Sequence, residues 1–245
     1  MKVALLGVTG LVGGSVARLL SRLENVDEVW CPVRSQVNYA YLGLVENFRK
    51  FNLDVIDFAS IGQIPKSEDV AKVEAGLCGA DAVICCLGTT RKKAGSRVIQ
   101  ERVDVGLPLV FAAIAKRLGV RHFLCVSAQG ADAHSPFFYN RLKGILEDGL
   151  TMMNFEALTL VRPSLLLGER KERRWGEDLM KKIFGAHPEM VPQFFRPIPA
   201  ETVAAHLVAS LLKPPFDHVC ASDGVKGKRI IYNRVLAKTR VDELF

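Results

Sequence analysis

The stretch that most constrains the fold is Gly7-Val8-Thr9-Gly10-Leu11-Val12-Gly13. It follows the apolar run Lys2 to Leu6 without a break and leads straight into apolar residues at helical spacing. A strand that turns directly into a helix needs positions without a Cβ. Glycine permits the tight turn, lets backbone come close to a ligand and allows the helix to pack tightly on the strand. The first helical turn then offers unpaired N–H groups to an anion. In this place a G-x-x-G-x-x-G spacing reads as a dinucleotide cradle formed by Gly7, Thr9, Gly10, Leu11, Val12 and Gly13. Tight packing with no ligand would use the same glycines. Lys2 with the small and apolar residues behind it also has the outline of a secretory signal peptide, which the glycine spacing argues against.

The rest of the chain repeats the pattern of strand and helix. Lys2 to Leu6, Glu28 to Val33, Leu53 to Ile56, Ala82 to Leu87, His122 to Val126 and Leu158 to Val161 read as strands. Most are continuous apolar runs, as expected for a parallel sheet covered on both faces. Between them Leu11 to Leu23, Ile99 to Leu118 and Phe138 to Leu150 carry apolar residues every three or four positions, and the middle one ends at Gly119. The alternation predicts an α/β fold, a Rossmann-type doubly wound parallel sheet. With 245 residues, the chain is expected to form a single NAD(P)-binding domain over 1–245, with about 164–245 contributing the substrate side. After Pro163 the pattern loosens, and Gly168 to Trp175 reads as a solvated loop beside a helix start. Pro199 opens a further helix that lasts to Leu212 and stops before Pro214-Pro215.

Composition narrows the function classes. Hydrophobic residues at 49% and charged residues at 24% are ordinary for a globular chain, which sets aside disordered and collagen-like classes. No apolar stretch reaches the roughly 18 residues that a membrane-spanning helix needs. The six cysteines form no C-x-x-C pair and no His/Cys cluster at zinc spacing, so no metal site is expected. Several lie in strand-like runs, as thiols do in reducing compartments, and a cytoplasmic location is expected. Lys and Arg exceed Asp and Glu by 33 to 26, a formal charge of +7 that suits an anionic ligand. Nucleic acid is not expected, since no aromatic and basic residues interleave.

Arg34 stands at the end of the second strand, where a site for NAD usually has an acid that accepts from the ribose 2′-hydroxyl. A guanidinium there can hold a 2′-phosphate, which favours NADP(H) over NAD(H). An exposed strand-end arginine without a ligand is the other reading. Asp57, with Phe58 beside it, is placed to meet the adenine amino group, or to cap the next segment.

Ser127 closes the strand His122 to Val126, and Tyr139 and Lys143 follow four residues apart. On a helix that spacing sets both side chains on one face, so an ammonium can favour a phenolate whose proton otherwise leaves near pH 10. Tyr139 can then give a proton to an alkoxide formed by hydride transfer, with the Ser127 hydroxyl steadying the oxygen. A tyrosine and a lysine at this spacing also arise by chance. What gives the set its weight is the order of glycine turn, strand-end serine, tyrosine and lysine.

The glycine turn, Ser127 and Tyr139-x-x-x-Lys143, in that order, resemble the short-chain dehydrogenase/reductase superfamily. The spaced glycines and short C-terminal region look like its atypical branch. Within that branch the chain is similar to the Tat-interacting-protein-like oxidoreductases. The likeness runs through Cys85-Cys86-Leu87-Gly88-Thr89-Thr90-Arg91, Lys93-Ala94-Gly95, Val103-Asp104, Gly130-Ala131-Asp132, Lys143-Gly144, Arg162-Pro163 and Phe184-Gly185. The resemblance implies that Leu87, Gly88 and Thr89 lie against the adenosine and phosphate part of the cofactor, that Lys143 holds the nicotinamide ribose, and that Pro163 and Leu165 flank the nicotinamide. Core packing is the plain alternative for Leu165. The chain departs from the pattern at Ser35, where a second basic residue would follow Arg34, and at Asp104, where many members have an asparagine. The activity implied is NADPH-dependent reduction of a carbonyl or related small molecule. Two alternatives stand beside it: an NADPH-binding regulatory protein that answers to a protein partner without turnover, and a flavin or quinone reductase that needs no tyrosine acid. The expected substrate pocket, Gly168 to Phe195, carries no chemistry that names a substrate.

Overall fold

In the computed structural model the described residues are 1–44, 47–61, 68–167, 196–220, 222–239, 241 and 244. The first half winds outward from the first strand. It comprises β1 (Lys2–Leu6), α1 (Leu11–Arg22), β2 (Glu28–Val33), β3 (Phe51–Val55), α2 (Glu68–Leu77) and β4 (Ala82–Cys85). Two short helices, α3 (Arg91–Ala94) and α4 (Arg97–Glu101), lead through a π turn (Arg102–Gly106) into α5 (Leu107–Arg117). The second half comprises β5 (His122–Val126), α6 (Phe138–Met152), β6 (Ala157–Arg162), β7 (Leu166–Leu167), β8 (Ile198–Pro199), α7 (Ala200–Leu212), β9 (Lys228–Tyr232) and α8 (Asn233–Leu236).

Seven strands form one parallel sheet in the order β3-β2-β1-β4-β5-β6-β9, and β7 pairs with β8 apart from it. This is the doubly wound Rossmann arrangement of a single α/β domain. The winding reverses between β1 and β4, so a crevice opens beyond the carboxyl ends of those two strands. Alternation along β1 splits the core. Val3 and Leu5 pack with Val16 and Leu20 of α1 and Val203 and Leu207 of α7, while Ala4 and Leu6 pack with Leu77 of α2, Phe111 of α5 and Leu146 of α6. Each buried Leu, Val or Phe of these layers contributes about 1.5–3 kcal/mol.

Several boundaries differ from the sequence expectation for identifiable reasons. The third strand starts at Phe51, which pairs with Val29, rather than at Leu53. The fourth ends at Cys85 instead of Leu87, although Cys86 N still donates to Leu6 O at 2.9 Å. The helix expected over Ile99 to Leu118 is broken in two by the π turn. Pro108, at the start of α5, has no N–H to give to the carbonyl of Asp104 four residues earlier, and the backbone widens there while its apolar period continues. The seventh strand, β9, escapes a reading by apolar runs because it opens on Lys228 and Arg229. The expected loop from Gly168 to Trp175, and the expected pocket stretch as far as Phe195, lie outside the described residues. Among the described residues no helix is long and apolar enough to cross a membrane.

Candidate active site

The glycine turn closes on itself through backbone alone. Gly7 has φ +85°, Gly10 N donates to Gly7 O at 2.9 Å, and Gly14 N donates to Gly10 O at 2.8 Å. A Cβ on Gly7 would stand 2.8 Å from Cys86 O, and one on Gly13 would stand 2.1 Å from Gly7 O, so neither position admits a side chain. Gly10 caps α1 without a side-chain hydrogen bond, and no acid occupies the first turn. The free N–H groups of that turn suit a pyrophosphate. Thr9, Gly10 and Leu11 are exposed at this mouth, while Val12 and Gly13 are buried behind it.

Around the crevice the other expected cofactor residues fall as follows. Arg34 lies just past β2 and is exposed, with no ion pair among the described residues. Asp57 is exposed, and its Oδ1 accepts from Ala59 N at 2.8 Å, which is a capping role; Phe58 packs edge-on against Phe111 with ring centroids 5.9 Å apart. Leu87 packs against the core, Gly88 is exposed, and Thr89 N donates to Asp104 Oδ2 at 3.4 Å. Pro163 is buried and its carbonyl accepts from Gln129 N at 2.7 Å. Leu165 is 43% exposed and so stands outside the core.

Tyr139 and Lys143 share one face of α6, as the four-residue spacing requires. Lys143 Nζ stands 5.8 Å from the centroid of the Tyr139 ring and 3.1 Å from Asp104 Oδ1, an ion pair set off the line of a hydrogen bond. The lysine and aspartate side chains are 2% and 0% exposed. The pair lies beneath Gly88, where a Cβ would come within 3.3 Å of Asp104 Oδ1 and 4.0 Å of Lys143 Nζ. The helix is held close to the loop after β5 at Gly144, whose Cβ would overlap Ala133 N at 2.0 Å.

Burial disfavours the Lys143 ammonium, yet its attraction to the Tyr139 and Asp104 charges more than offsets that and moves its titration upward. Although Tyr139 is 42% exposed, desolvation is the largest influence on its phenol and pushes it up; Lys143 acts against that shift and Asp104 with it. Burial also raises Asp104, against the pull of Lys143. The Cys86 thiol is pushed well up by burial, and Cys125 by its hydrogen bond with Cys85 and by burial.

Ser127 is placed differently. It is 2% exposed, and its hydroxyl donates to Glu147 Oε1 on the next turn of α6 beyond Lys143. Glu147 is also gripped by Arg162 of β6, whose Nε lies 2.9 Å from Oε1 and whose Nη2 lies 2.5 Å from Oε2. The structure thus brings together Tyr139, Lys143, Asp104, Gly88 and Thr89, and binds Ser127 into a separate buried set with Glu147 and Arg162. Glu147 is not among the residues that the sequence points to. Its signal was available, since Tyr139, Lys143 and Glu147 recur every four residues, but its partners come from other strands.

No protein-family model matches the chain. It is 35% identical over 169 residues to protein HTATIP2 of Rattus norvegicus, a match covering 69% of this chain and 65% of that protein. It is 32% identical over 172 residues to the mitochondrial protein FMP52 of Candida albicans, covering 70% of each chain. The matched segment therefore spans about two thirds of these relatives' length. Among solved structures, the UDP-glucuronic acid 4-epimerase from Bacillus cereus, in complex with UDP-glucuronic acid and NAD, superposes with a TM-score of 0.66 at 14% identity. That match covers 95% of this chain and 77% of the epimerase, a likeness of fold. By its 32% identity to the FMP52 protein, of which it covers 70%, the chain belongs to the family of the FMP52 proteins, and it is similar to HTATIP2.

Proposed function

We propose that the chain is an NADPH-dependent oxidoreductase that reduces a carbonyl or related small molecule, with Tyr139 as the proton donor. A reduced nicotinamide bound at the crevice would supply the hydride. Gly7, Thr9, Gly10, Leu11, Val12 and Gly13 hold the pyrophosphate with backbone N–H groups, in a turn where neighbouring backbone leaves no room for a Cβ at Gly7 or Gly13. Arg34, exposed at the strand end with no acid paired to it among the described residues, takes the 2′-phosphate. Asp57 and Phe58 border the adenine; Leu87, Gly88 and Thr89 follow the adenosine and phosphates; Pro163 and Leu165 flank the nicotinamide. The segment from residue 164 onward contributes the substrate side.

The observation that carries this proposal is the position of Lys143. Its ammonium lies buried beneath Gly88, at the cofactor end of β4, and 5.8 Å from the Tyr139 ring, so one residue joins the nucleotide site to the acid. Tyr139 passes its proton to the alkoxide oxygen as the new O–H bond forms, and Lys143 faces the phenolate left behind. Ser127 enters as a hydrogen-bond donor to that oxygen, for which its hydroxyl must leave Glu147. Tyr139 has no such prerequisite, and the proposal therefore rests on Tyr139 and Lys143.

Reduction of a carbonyl panel by wild type and Tyr139→Phe tests it. Turnover lost with NADPH binding kept supports the tyrosine acid, whereas turnover kept with full strength points to a flavin or quinone reductase. A regulatory protein without turnover is the second reading, favoured by the apolar side chains left bare close to Tyr139, with Phe137 at 71% exposure. A pull-down whose partners change with NADPH would support it. The six cysteines are all free, which accords with a cytoplasmic location. The fungal relatives carry a mitochondrial designation in their names, and cell fractionation decides between the two compartments.

A further inference from the structure

Lys143 has two neighbours that make opposite demands on it. A free ammonium beside Tyr139 would draw the phenol toward phenolate. The nearer neighbour, however, is a carboxylate: Asp104 Oδ1 stands 3.1 Å from Nζ, while the Tyr139 ring centroid stands 5.8 Å away. Both ions are withdrawn from water, so the pair is weakly screened and acts on the tyrosine as a dipole rather than as a full positive charge. The backbone fixes the arrangement. The π turn at Arg102–Gly106, opened where Pro108 cannot donate, brings Asp104 inward, and Thr89 N holds the other carboxylate oxygen at 3.4 Å.

The other titratable groups on the packed elements do not replace Asp104. Cys86 of the segment after β4 and Cys125 of β5 are thiols pushed up and neutral. Cys85 is drawn down chiefly by its hydrogen bond with Cys125, against burial, and Lys143 is only a smaller influence on it, opposed by Asp104. Glu147, one turn further along α6, is taken by Arg162 and Ser127. Arg97 and Arg141 stand over the Phe138 ring at 5.2 and 5.8 Å, and Arg141 donates to Ser135 O.

We propose that Asp104 is the counter-ion that neutralises Lys143 and thereby keeps Tyr139 a protonated phenol, which sets this site to give a proton to a product alkoxide rather than to take one from an alcohol. The proposal rests on Tyr139 as the acid of the reaction proposed above. In the favoured direction the Tyr139 Oη–H bond breaks, the alcohol O–H bond forms, and the phenolate left behind regains its proton from solvent. In the reverse direction the same phenolate would be needed beforehand, and the Asp104 charge disfavours it. The upward displacement of the Tyr139 phenol, with desolvation first and Asp104 acting in the same direction, accords with this geometry. Asp104 is a positioning residue in these terms, since it acts through Lys143.

The test is the ionisation of Tyr139 itself in the full chain with no nucleotide or substrate added. The chain has only four tyrosines, so 13C-tyrosine NMR against pH, with Tyr139→Phe to assign the signal, isolates it. Wild-type Tyr139 is expected to titrate above the ordinary phenol value of 10.0. Asp104→Asn, which keeps the size of the side chain, is expected to lower that midpoint by about one unit or more. Asp104→Leu, which has the same number of side-chain heavy atoms branched at Cγ and no polar ones, should move it the same way if the asparagine variant does not fold. A wild-type midpoint at or below 10.0, or an unchanged or raised midpoint in the folded variant, would overturn the proposal. Because this readout needs no turnover, a shifted midpoint in a protein that reduces nothing would keep the counter-ion and sink the reductase reading instead.

Discussion

The two ends of the crevice are built from different materials. At the β1–α1 turn the site is backbone and missing side chains: Gly7 and Gly13 make room, Gly10 caps the helix with no side chain, and no acid occupies its first turn. On α6 the site is charge set into the core, with Lys143 against Asp104 and Glu147 against Arg162. The first end depends on neighbours in sequence and on what is absent. The second depends on partners that only the folded sheet delivers, and a buried charge that loses its partner costs more than one never buried. Substitutions at the two ends should therefore fail differently, the first in nucleotide binding and the second in chemistry or stability.

The largest effect belongs to the chemistry. Tyr139→Phe should lower kcat about 10²–10⁴-fold while NADPH affinity stays within about twofold, as steady-state kinetics beside a binding titration would show. Glu147→Ala should come next, costing about 3–5 kcal/mol in denaturant unfolding because it leaves the Arg162 guanidinium without its carboxylate. The backbone end breaks in the opposite sense. Gly13→Ala should cost about 1–3 kcal/mol of stability yet remove measurable nucleotide binding, since its methyl group would fall 2.1 Å from Gly7 O inside the turn. Smallest is Arg34→Ala at the exposed strand end. It should change stability by no more than about 0.5 kcal/mol and reduce the preference for NADPH over NADH about tenfold, through loss of one charge-assisted contact.

The same contrast explains what could be read before the fold was known. The glycine turn is legible because its geometry is local: Gly7, Gly10 and Gly13 meet one another within a few residues. Tyr139 and Lys143 are legible for the same reason, as neighbours on one helix face. Ser127 is legible as a residue at a strand end, but the direction of its hydroxyl is not, because Glu147 and Arg162 reach it from two other elements. Asp104 stands in a segment whose apolar period reads as unbroken helix, and only the missing N–H of Pro108 hints at the π turn that places it. β9 is hidden by its own charged start, since Lys228 is buried in an ion pair with Asp223 that spacing alone does not announce.

The central claim is that the crevice takes a nicotinamide nucleotide and prefers the phosphorylated form. The most direct measurement is a parallel titration of the purified chain with NADPH and NADH at one salt concentration, following cofactor fluorescence and the emission of Trp30, buried on β2. Saturable binding of both, tighter for NADPH and with that advantage lost in Arg34→Ala, is the predicted result. Binding of neither nucleotide by the folded chain would contradict the account.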